Sequence, residues 1–188
     1  MKIHLHKVIP IGAGLGGGSA DAAFTLKLLN DKFRLNLSTE QLVNYSLRLG
    51  SDCPFFIINK PCFATGRGDE LLEPVSIDLG AYQFILVNPG ISIPTATAFS
   101  QVTPTLPVTS TREIILQPVI TWKDELKNDF EEVVFKTYPA ISDIKNKLYH
   151  AGAVYASMSG SGSTVFGLFR KEEKVTLSFP SHYFVTRI

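Results

Sequence analysis

An α+β fold is what this sequence predicts, with antiparallel hairpins and helices mixed rather than alternating through a doubly wound sheet. Three observations carry that reading. A glycine-rich loop, Gly12 to Gly18, is followed by two helical patterns in succession, where a doubly wound fold places a strand after the first helix. Phe63 to Leu71 reads as a hairpin turned at Gly66 to Asp69. Val154 to Met158 and Thr164 to Phe169 are strand-like runs joined by a Ser-Gly-Ser-Gly-Ser turn.

Each element has its own local reason. Ile3, Leu5 and Ile9, interleaved with His4, His6 and Lys7, predict a half-buried strand from Ile3 to Ile9. A first helix is expected from about Ser19 to Asn30. A second, from about Thr39 to Leu49, is opened by the capping box Ser38-x-x-Gln41 and ended by Gly50. Val75 to Gly80 marks a domain junction, which gives domains over 1–78 and 79–188. Tyr82 to Val87 reads as a buried strand running into Asn88-Pro89-Gly90. Val102 to Thr111, rich in Thr, Pro and Ser and without a period, reads as a loop. Helical patterns return from Asp129, the expected cap, to Lys136, and from Pro139 to Ala151, closed by Gly152. Tyr183 to Ile188 ends the chain as a strand.

Composition excludes several function classes. The 188 residues are 45% hydrophobic, enough to bury a substantial core in one or two domains. Net charge is +1, from 18 basic and 17 acidic residues, and no basic run supports binding to nucleic acid or an anionic membrane. No apolar stretch approaches a membrane span and Met1-Lys2-Ile3-His4 does not open a signal peptide, so a cytoplasmic protein is expected. Cys53 and Cys62 are too few for a disulfide framework and have no metal or redox spacing; both are expected reduced and partly buried. His4 and His6 would share one strand face, but with no third ligand nearby a polar sheet face is preferred over a metal pair.

The most informative segment is Pro10-Ile11-Gly12-Ala13-Gly14-Leu15-Gly16-Gly17-Gly18-Ser19-Ala20. Five glycines in the seven positions from Gly12 permit positive φ and let a ligand approach without Cβ atoms in the way. The loop runs into a helix start, whose unpaired N–H groups and positive dipole end attract an anion. A nucleotide phosphate cradle is the reading; a plain tight turn needs only one or two glycines. A Walker-type loop is excluded, because Ser19-Ala20 follow the last glycine with no lysine. Gly12, Gly14 and Gly17 satisfy the dinucleotide fingerprint, but a second helix stands where that fold needs a strand ending in an acidic residue.

Pro10-x-x-x-Gly14-Leu15-Gly16-Gly17-Gly18-Ser19-Ala20 resembles the second motif of the GHMP kinases, a superfamily of small-molecule kinases. The triple glycine after Leu15 is most similar to members that phosphorylate 4-diphosphocytidyl-2-C-methyl-D-erythritol in the non-mevalonate isoprenoid pathway. Four further segments resemble the same members in order: Gly50 to Phe56, Pro89 to Thr95, Asn128 to Glu131, and Met158 to Thr164. Together the five cover nearly the whole chain. The resemblance implies a ribosomal-S5-like N-terminal domain, here incomplete, and a ferredoxin-like C-terminal domain, with both substrates bound between them. It implies ATP and Mg2+ as cofactors and a cytidine-diphosphate methylerythritol acceptor, with no nucleic-acid or membrane partner.

Phosphoryl transfer to a hydroxyl requires a positioned triphosphate, neutralisation of its charge and removal of the hydroxyl proton. For Ser19 the resemblance implies a phosphate or Mg2+ contact; a plain helix N-cap is compatible with either. Asp52 lies between the helix-ending Gly50 and Pro54, where a carboxylate can face a ligand, but Ser-Asp-x-Pro is equally how a short helix starts. The resemblance implies that Asp52 is the catalytic base. Thr95 and Phe99 fall in the segment that resembles the acceptor-binding region; Phe99 is either a ring stacked on cytosine or an ordinary core residue. Gly160, Ser161 and Gly162 resemble the third GHMP motif, which closes over phosphates and substrate, and also read as a simple hairpin turn.

One motif has no match. The family's first, Pro-Ala-Lys-Ile-Asn-Leu or similar, supplies a lysine counted with the aspartate as catalytic, and eleven residues precede Gly12 without it. The resemblance thus implies a member lacking its N-terminal strands. Two expectations stand: the greater part of an active kinase, or a catalytically impaired nucleotide-binding fragment with little or no transfer by itself. A homoserine or mevalonate kinase would keep the loop but fits Pro89 to Thr95 and Asn128 to Glu131 less well.

Overall fold

Helical and strand periodicities both become packed elements in the computed structural model, which describes residues 1–66, 70–103 and 107–188, with backbone alone at 70–73. The chain groups into two units, Gly16–Ile77, and Met1–Leu15 together with Asp78–Ile188.

The Gly16–Ile77 unit holds three helices, α1 (Gly17–Phe33), α2 (Thr39–Leu47) and α3 (Cys53–Ile58), and an antiparallel hairpin of β1 (Cys62–Thr65) and β2 (Glu70–Pro74). Ala23 of α1, Leu42 of α2 and Ile57 of α3 form its core. The capping box is present: Gln41 N–H donates to Ser38 Oγ at 3.2 Å, and Ser38 N–H to Gln41 Oε1 at 2.9 Å. α1 starts two residues before the expected Ser19, within the glycines, because Gly16 at φ 63° supplies the bend that opens it. It runs on to Phe33, ended by Arg34 in the left-handed region. The hairpin register pairs Cys62 with Pro74 and Thr65 with Glu70; of its expected tip, 67–69 lie outside the described residues.

The strand expected from Ile3 to Ile9 is not formed: residues 1–8 carry no regular structure, and Ile3, Leu5 and Ile9 are 65%, 59% and 50% exposed. Alternation proposes a strand, but a strand persists only with a neighbour to take its backbone hydrogen bonds. None of the described strands pairs with this segment.

The other unit is a sheet covered by helices. Its strands are β3 (Tyr82–Asn88), β4 (Tyr155–Met158), β5 (Val165–Arg170) and β6 (Phe184–Arg187). They are ordered β4-β5-β3-β6 with every pair antiparallel, a ferredoxin-like arrangement. Ile85 and Val87 of β3, two residues apart, face the same side and meet Val165 and Phe169 of β5 in the core. α7 (Phe130–Thr137) and α8 (Pro139–His150) close that side, α8 through Ile141, Ile144 and Leu148 at helical spacing. Asp129, the expected cap of α7, makes no capping hydrogen bond; Asn128 Oδ1 accepts from Phe130 N–H at 3.0 Å instead. Between β3 and α7 lie α4 (Thr95–Gln101), α5 (Thr111–Ile114), a 3-10 turn (Val119–Thr121) and α6 (Trp122–Glu125). The expected loop thus ends at Ser110, whose capping box with Glu113 starts α5; residues 104–106 of that loop lie outside the described ones. The class is α+β, as the sequence predicts. Cys53 is buried, Cys62 is partly exposed, and both are free thiols.

Burial also makes the unit sensitive to alkali. Tyr155 is buried with its hydroxyl donating to Leu126 O at 3.1 Å, and burial pushes its phenol up to about 12. Burial raises Tyr149 as well. A phenol raised on folding contributes stability that is complete below the unfolded value near 10 and is lost as pH climbs toward 12. For Tyr155 that loss is about 2–3 kcal/mol. Denaturant unfolding between pH 9 and 12 is expected to show a shallower fall in stability for Tyr155→Phe than for the parent; parallel falls would exclude Tyr155 as the source.

Candidate functional site

The first half of the glycine loop is folded by positive φ at alternate residues: Gly12 at 67°, Gly14 at 75° and Gly16 at 63°. Each side-chain-bearing residue there would cost about 1–2 kcal/mol. This half is pinned to the turn between β4 and β5. Thr164 N–H donates to Ala13 O at 3.1 Å, and Ser159 Oγ donates to Gly14 O at 2.7 Å. A Cβ on Gly14 would lie 2.7 Å from Gly162 O and closer still to Ser159 O, so the two glycine-rich segments touch backbone to backbone.

The β4–β5 turn is held from three sides. Gly160 at φ 54° and Gly162 at φ 93° shape it, and Ser159 N–H donates to Thr164 O at 2.8 Å. Asn128 Nδ2 donates to Met158 O and to Gly160 O, both at 2.8 Å. Glu131 Oε1 accepts from Met158 N–H at 2.8 Å and from Ser157 Oγ at 3.2 Å, while Lys145 holds the other carboxylate oxygen at 2.5 Å. From the end of β3, Asn88 Nδ2 donates to Ser163 Oγ at 3.2 Å and Thr164 Oγ1 at 3.0 Å. Ser163 Oγ donates to Ile91 O at 2.5 Å. The turn connects two antiparallel strands, so it is a hairpin turn whatever else it does.

Around it stand the residues expected at the acceptor. Thr95, the first residue of α4, has its hydroxyl 3.5 Å from that of Ser161. Phe99 is 63% exposed and therefore not a core residue; its ring meets Phe130 edge to face with centroids 4.8 Å apart. Four of the five segments singled out in the sequence thus contribute to this one cluster.

The second half of the loop opens α1 in the Gly16–Ile77 unit. The first helical bond there is Ala20 N–H to Gly16 O at 2.9 Å, so the N–H groups of Gly17, Gly18 and Ser19 have no acceptor within the helix. Gly16, not Ser19, is the N-cap. A Cβ built on Gly18 would meet nothing within 4 Å, and its φ is not in the left-handed region. Nothing in the fold demands glycine at 18, which is exposed with open space in front of it. A Cβ on Gly50 would lie 3.9 Å from Ser19 Oγ and 3.4 Å from Cys53 Sγ, so the start of α1 packs beside the turn into α3. Asp52 is on that turn. It occupies the N-cap position of α3 with φ −84° and ψ −11°, a helical geometry in which its side chain makes no capping bond. The carboxylate is exposed and accepts from Ser51 Oγ at 3.5 Å.

Among the described residues, no three His, Cys, Asp or Glu gather to hold a metal ion, and no helix is long and apolar enough to cross a membrane. The sequence reading missed Asn88, Asn128, Glu131 and Ser159 as parts of the cluster. Asn88 and Asn128 had a signal, an asparagine beside a proline or aspartate at the end of an element, where short amides bond backbone.

Known proteins resemble this chain over most of its length. The family models for the GHMP kinases N terminal domain and the GHMP kinases C terminal match residues 1–60 and 116–183. Curated relatives bearing the name 4-diphosphocytidyl-2-C-methyl-D-erythritol kinase include one from Bacteroides fragilis, 57% identical over 176 residues, 94% of this chain and 64% of the relative. One from Azobacteroides pseudotrichonymphae is 51% identical over 188 residues, 98% of this chain and 70% of the relative. The chain thus spans just under two thirds of the B. fragilis relative's length. A crystal structure of 4-(cytidine 5'-diphospho)-2C-methyl-D-erythritol kinase superposes with a TM-score of 0.74 at 30% identity, over 87% of this chain and 59% of that one. A homoserine kinase from Cytophaga hutchinsonii superposes at 0.63 and 16% identity over 88% and 59%, a likeness of fold alone.

Proposed function

This chain belongs to the GHMP kinases, and we propose that the full-length protein transfers the γ-phosphate of ATP to the 2-hydroxyl of 4-diphosphocytidyl-2-C-methyl-D-erythritol, in the cytoplasm and in the service of non-mevalonate isoprenoid synthesis. The observation that carries the reading is the pairing of a glycine loop with an open helix start. Gly12 to Leu15 are bonded to the β4–β5 turn, and Gly17 to Ser19 present N–H groups that the helix leaves unused. Relatives of that name at 51–57% identity support the choice of acceptor.

ATP with Mg2+ supplies the phosphoryl group and the counter-charge for its transfer. The N–H groups of Gly17, Gly18 and Ser19 hold the phosphates, with Gly18 leaving room for their approach. The Ser19 hydroxyl is the side chain at this helix start suited to a phosphate or Mg2+ contact, since Mg2+ bound with a nucleotide takes most of its ligands from phosphate and water. Asp52 accepts the proton of the attacking hydroxyl; as a weak base it acts while the new bond forms, and its position matters more than its basicity. Thr95 and Ser161, their hydroxyls 3.5 Å apart, bind the acceptor, and the exposed Phe99 ring offers cytosine a stacking face of about 1–3 kcal/mol. A coupled assay with ATP and this acceptor, homoserine or mevalonate is expected to show turnover of the cytidine compound in preference. Preference for homoserine or mevalonate would overturn the assignment.

A further inference from the structure

Two carbonyl oxygens on consecutive bends of the β4–β5 turn, Met158 O and Gly160 O, converge on a single donor, the Asn128 amide, at 2.8 Å each. One residue along, between these carbonyls, Ser159 sends its hydroxyl to Gly14 O at 2.7 Å. The chain of bonds therefore runs from the start of α7, through the turn, to the middle of the glycine loop. We propose that Asn128 is a positioning residue for nucleotide binding: it clamps the Met158–Gly160 backbone, and the clamped Ser159 fixes the Gly12–Leu15 half of the loop. The inference rests on the phosphate-binding role given to that loop above.

The residue type fits the task. An amide nitrogen has two hydrogens, one for each carbonyl, and the amide oxygen of the same side chain accepts from Phe130 N–H at 3.0 Å, so all three groups of the side chain are used. Glu131, three residues on, takes Met158 N–H, so both polar groups of the Met158 backbone are held by one short segment. A turn built around positive φ at Gly160 and Gly162 has little stiffness of its own and takes its shape from such anchors. Ser159 Oγ reaches Gly14 O only while the turn keeps that shape.

The oxygen of Asn128 serves helix α7, and its nitrogen serves the turn, so substitution can separate the two. Asn128→Asp keeps the acceptor for Phe130 N–H and loses both donations, and it sets a carboxylate oxygen against two carbonyls. A residue needed only to start the helix tolerates this change, because Asp caps as well as Asn. Amide hydrogen exchange of the full chain is expected to be at least about tenfold faster in Asn128→Asp and Asn128→Ala than in the parent at Ser159, Gly162 and Thr164, whose N–H groups donate within the turn and, from Thr164, to Ala13 O of the loop. Exchange in β3 and β5 should stay unchanged, which shows the variants to be folded. ATP affinity, titrated without acceptor, should fall about tenfold in both. Ser159→Ala should do the same, and its combination with Asn128→Ala should add little more, since both cut one path. Parent-like exchange at Ser159, Gly162 and Thr164 in Asn128→Asp, or additive losses of ATP affinity in the double variant, would overturn the proposal. If the parent itself binds no ATP, the phosphate-loop reading fails, and exchange at Ser159, Gly162 and Thr164 still decides the clamp.

Discussion

Replacing Asp52 by asparagine is expected to lower kcat by about two to four orders of magnitude and to leave ATP affinity within about twofold. Asparagine matches aspartate in size and caps a helix as well, so the start of α3 is preserved. What it lacks is an oxygen able to take a proton. The structure sharpens this test, because the Asp52 side chain makes no capping bond in α3 and its carboxylate is exposed. Ser51 Oγ, at 3.5 Å, is a donor that an amide oxygen satisfies equally. Steady-state kinetics with saturating acceptor measures the effect. A fall in kcat of no more than about threefold would leave Asp52 without a part in proton transfer.

The second large effect is expected from adding one methyl group to Gly14 and is read against the same change at Gly18. Gly14→Ala forces a Cβ to within 2.7 Å of Gly162 O, and closer to Ser159 O, at a φ of 75° that alanine resists by about 1–2 kcal/mol. Both obstacles are backbone, so the loop or the β4–β5 turn must move. Stability should fall by about 2–4 kcal/mol, the range of overpacking and backbone strain together, and ATP binding should be lost at millimolar concentrations. Gly18→Ala meets nothing within 4 Å and replaces a flexible residue in a helix, so thermal stability should hold or rise slightly. Its ATP affinity should nevertheless drop at least about tenfold, because the methyl occupies space that the fold leaves empty and the phosphates require. Melting temperatures and ATP titration of the two variants separate the roles. Undiminished ATP binding by Gly18→Ala would mean that the open space before α1 is not the phosphate site.

Much of this was legible in the residues because it rests on local chemistry. Ser38 and Gln41 form their capping box from four consecutive residues, and α8 buries Ile141, Ile144 and Leu148 because 3.6 residues per turn bring them to one face. The glycine loop declared itself, since no sequence without glycine holds three positive φ values in five residues at low cost. The same local logic misled where structure depends on a partner. Ile3 to Ile9 alternates like a strand, yet no described strand pairs with it; Ser110-x-x-Glu113 capped a short helix at the end of what composition presented as loop. The partners of Asn88, Asn128, Glu131 and Ser159 were not legible, even where an asparagine at the end of an element gave a local signal, for a different reason. Ser159 and Gly14 are 145 residues apart, and nothing in either neighbourhood specifies the other. The sequence by itself determined where the backbone bends, where helices begin and which family the chain belongs to. Only the tertiary structure decided that the two glycine-rich turns touch, because that contact is set by the sheet register that carries the β4–β5 turn and by the side chains of α7 that hold it, and neither is a property of a contiguous stretch of chain.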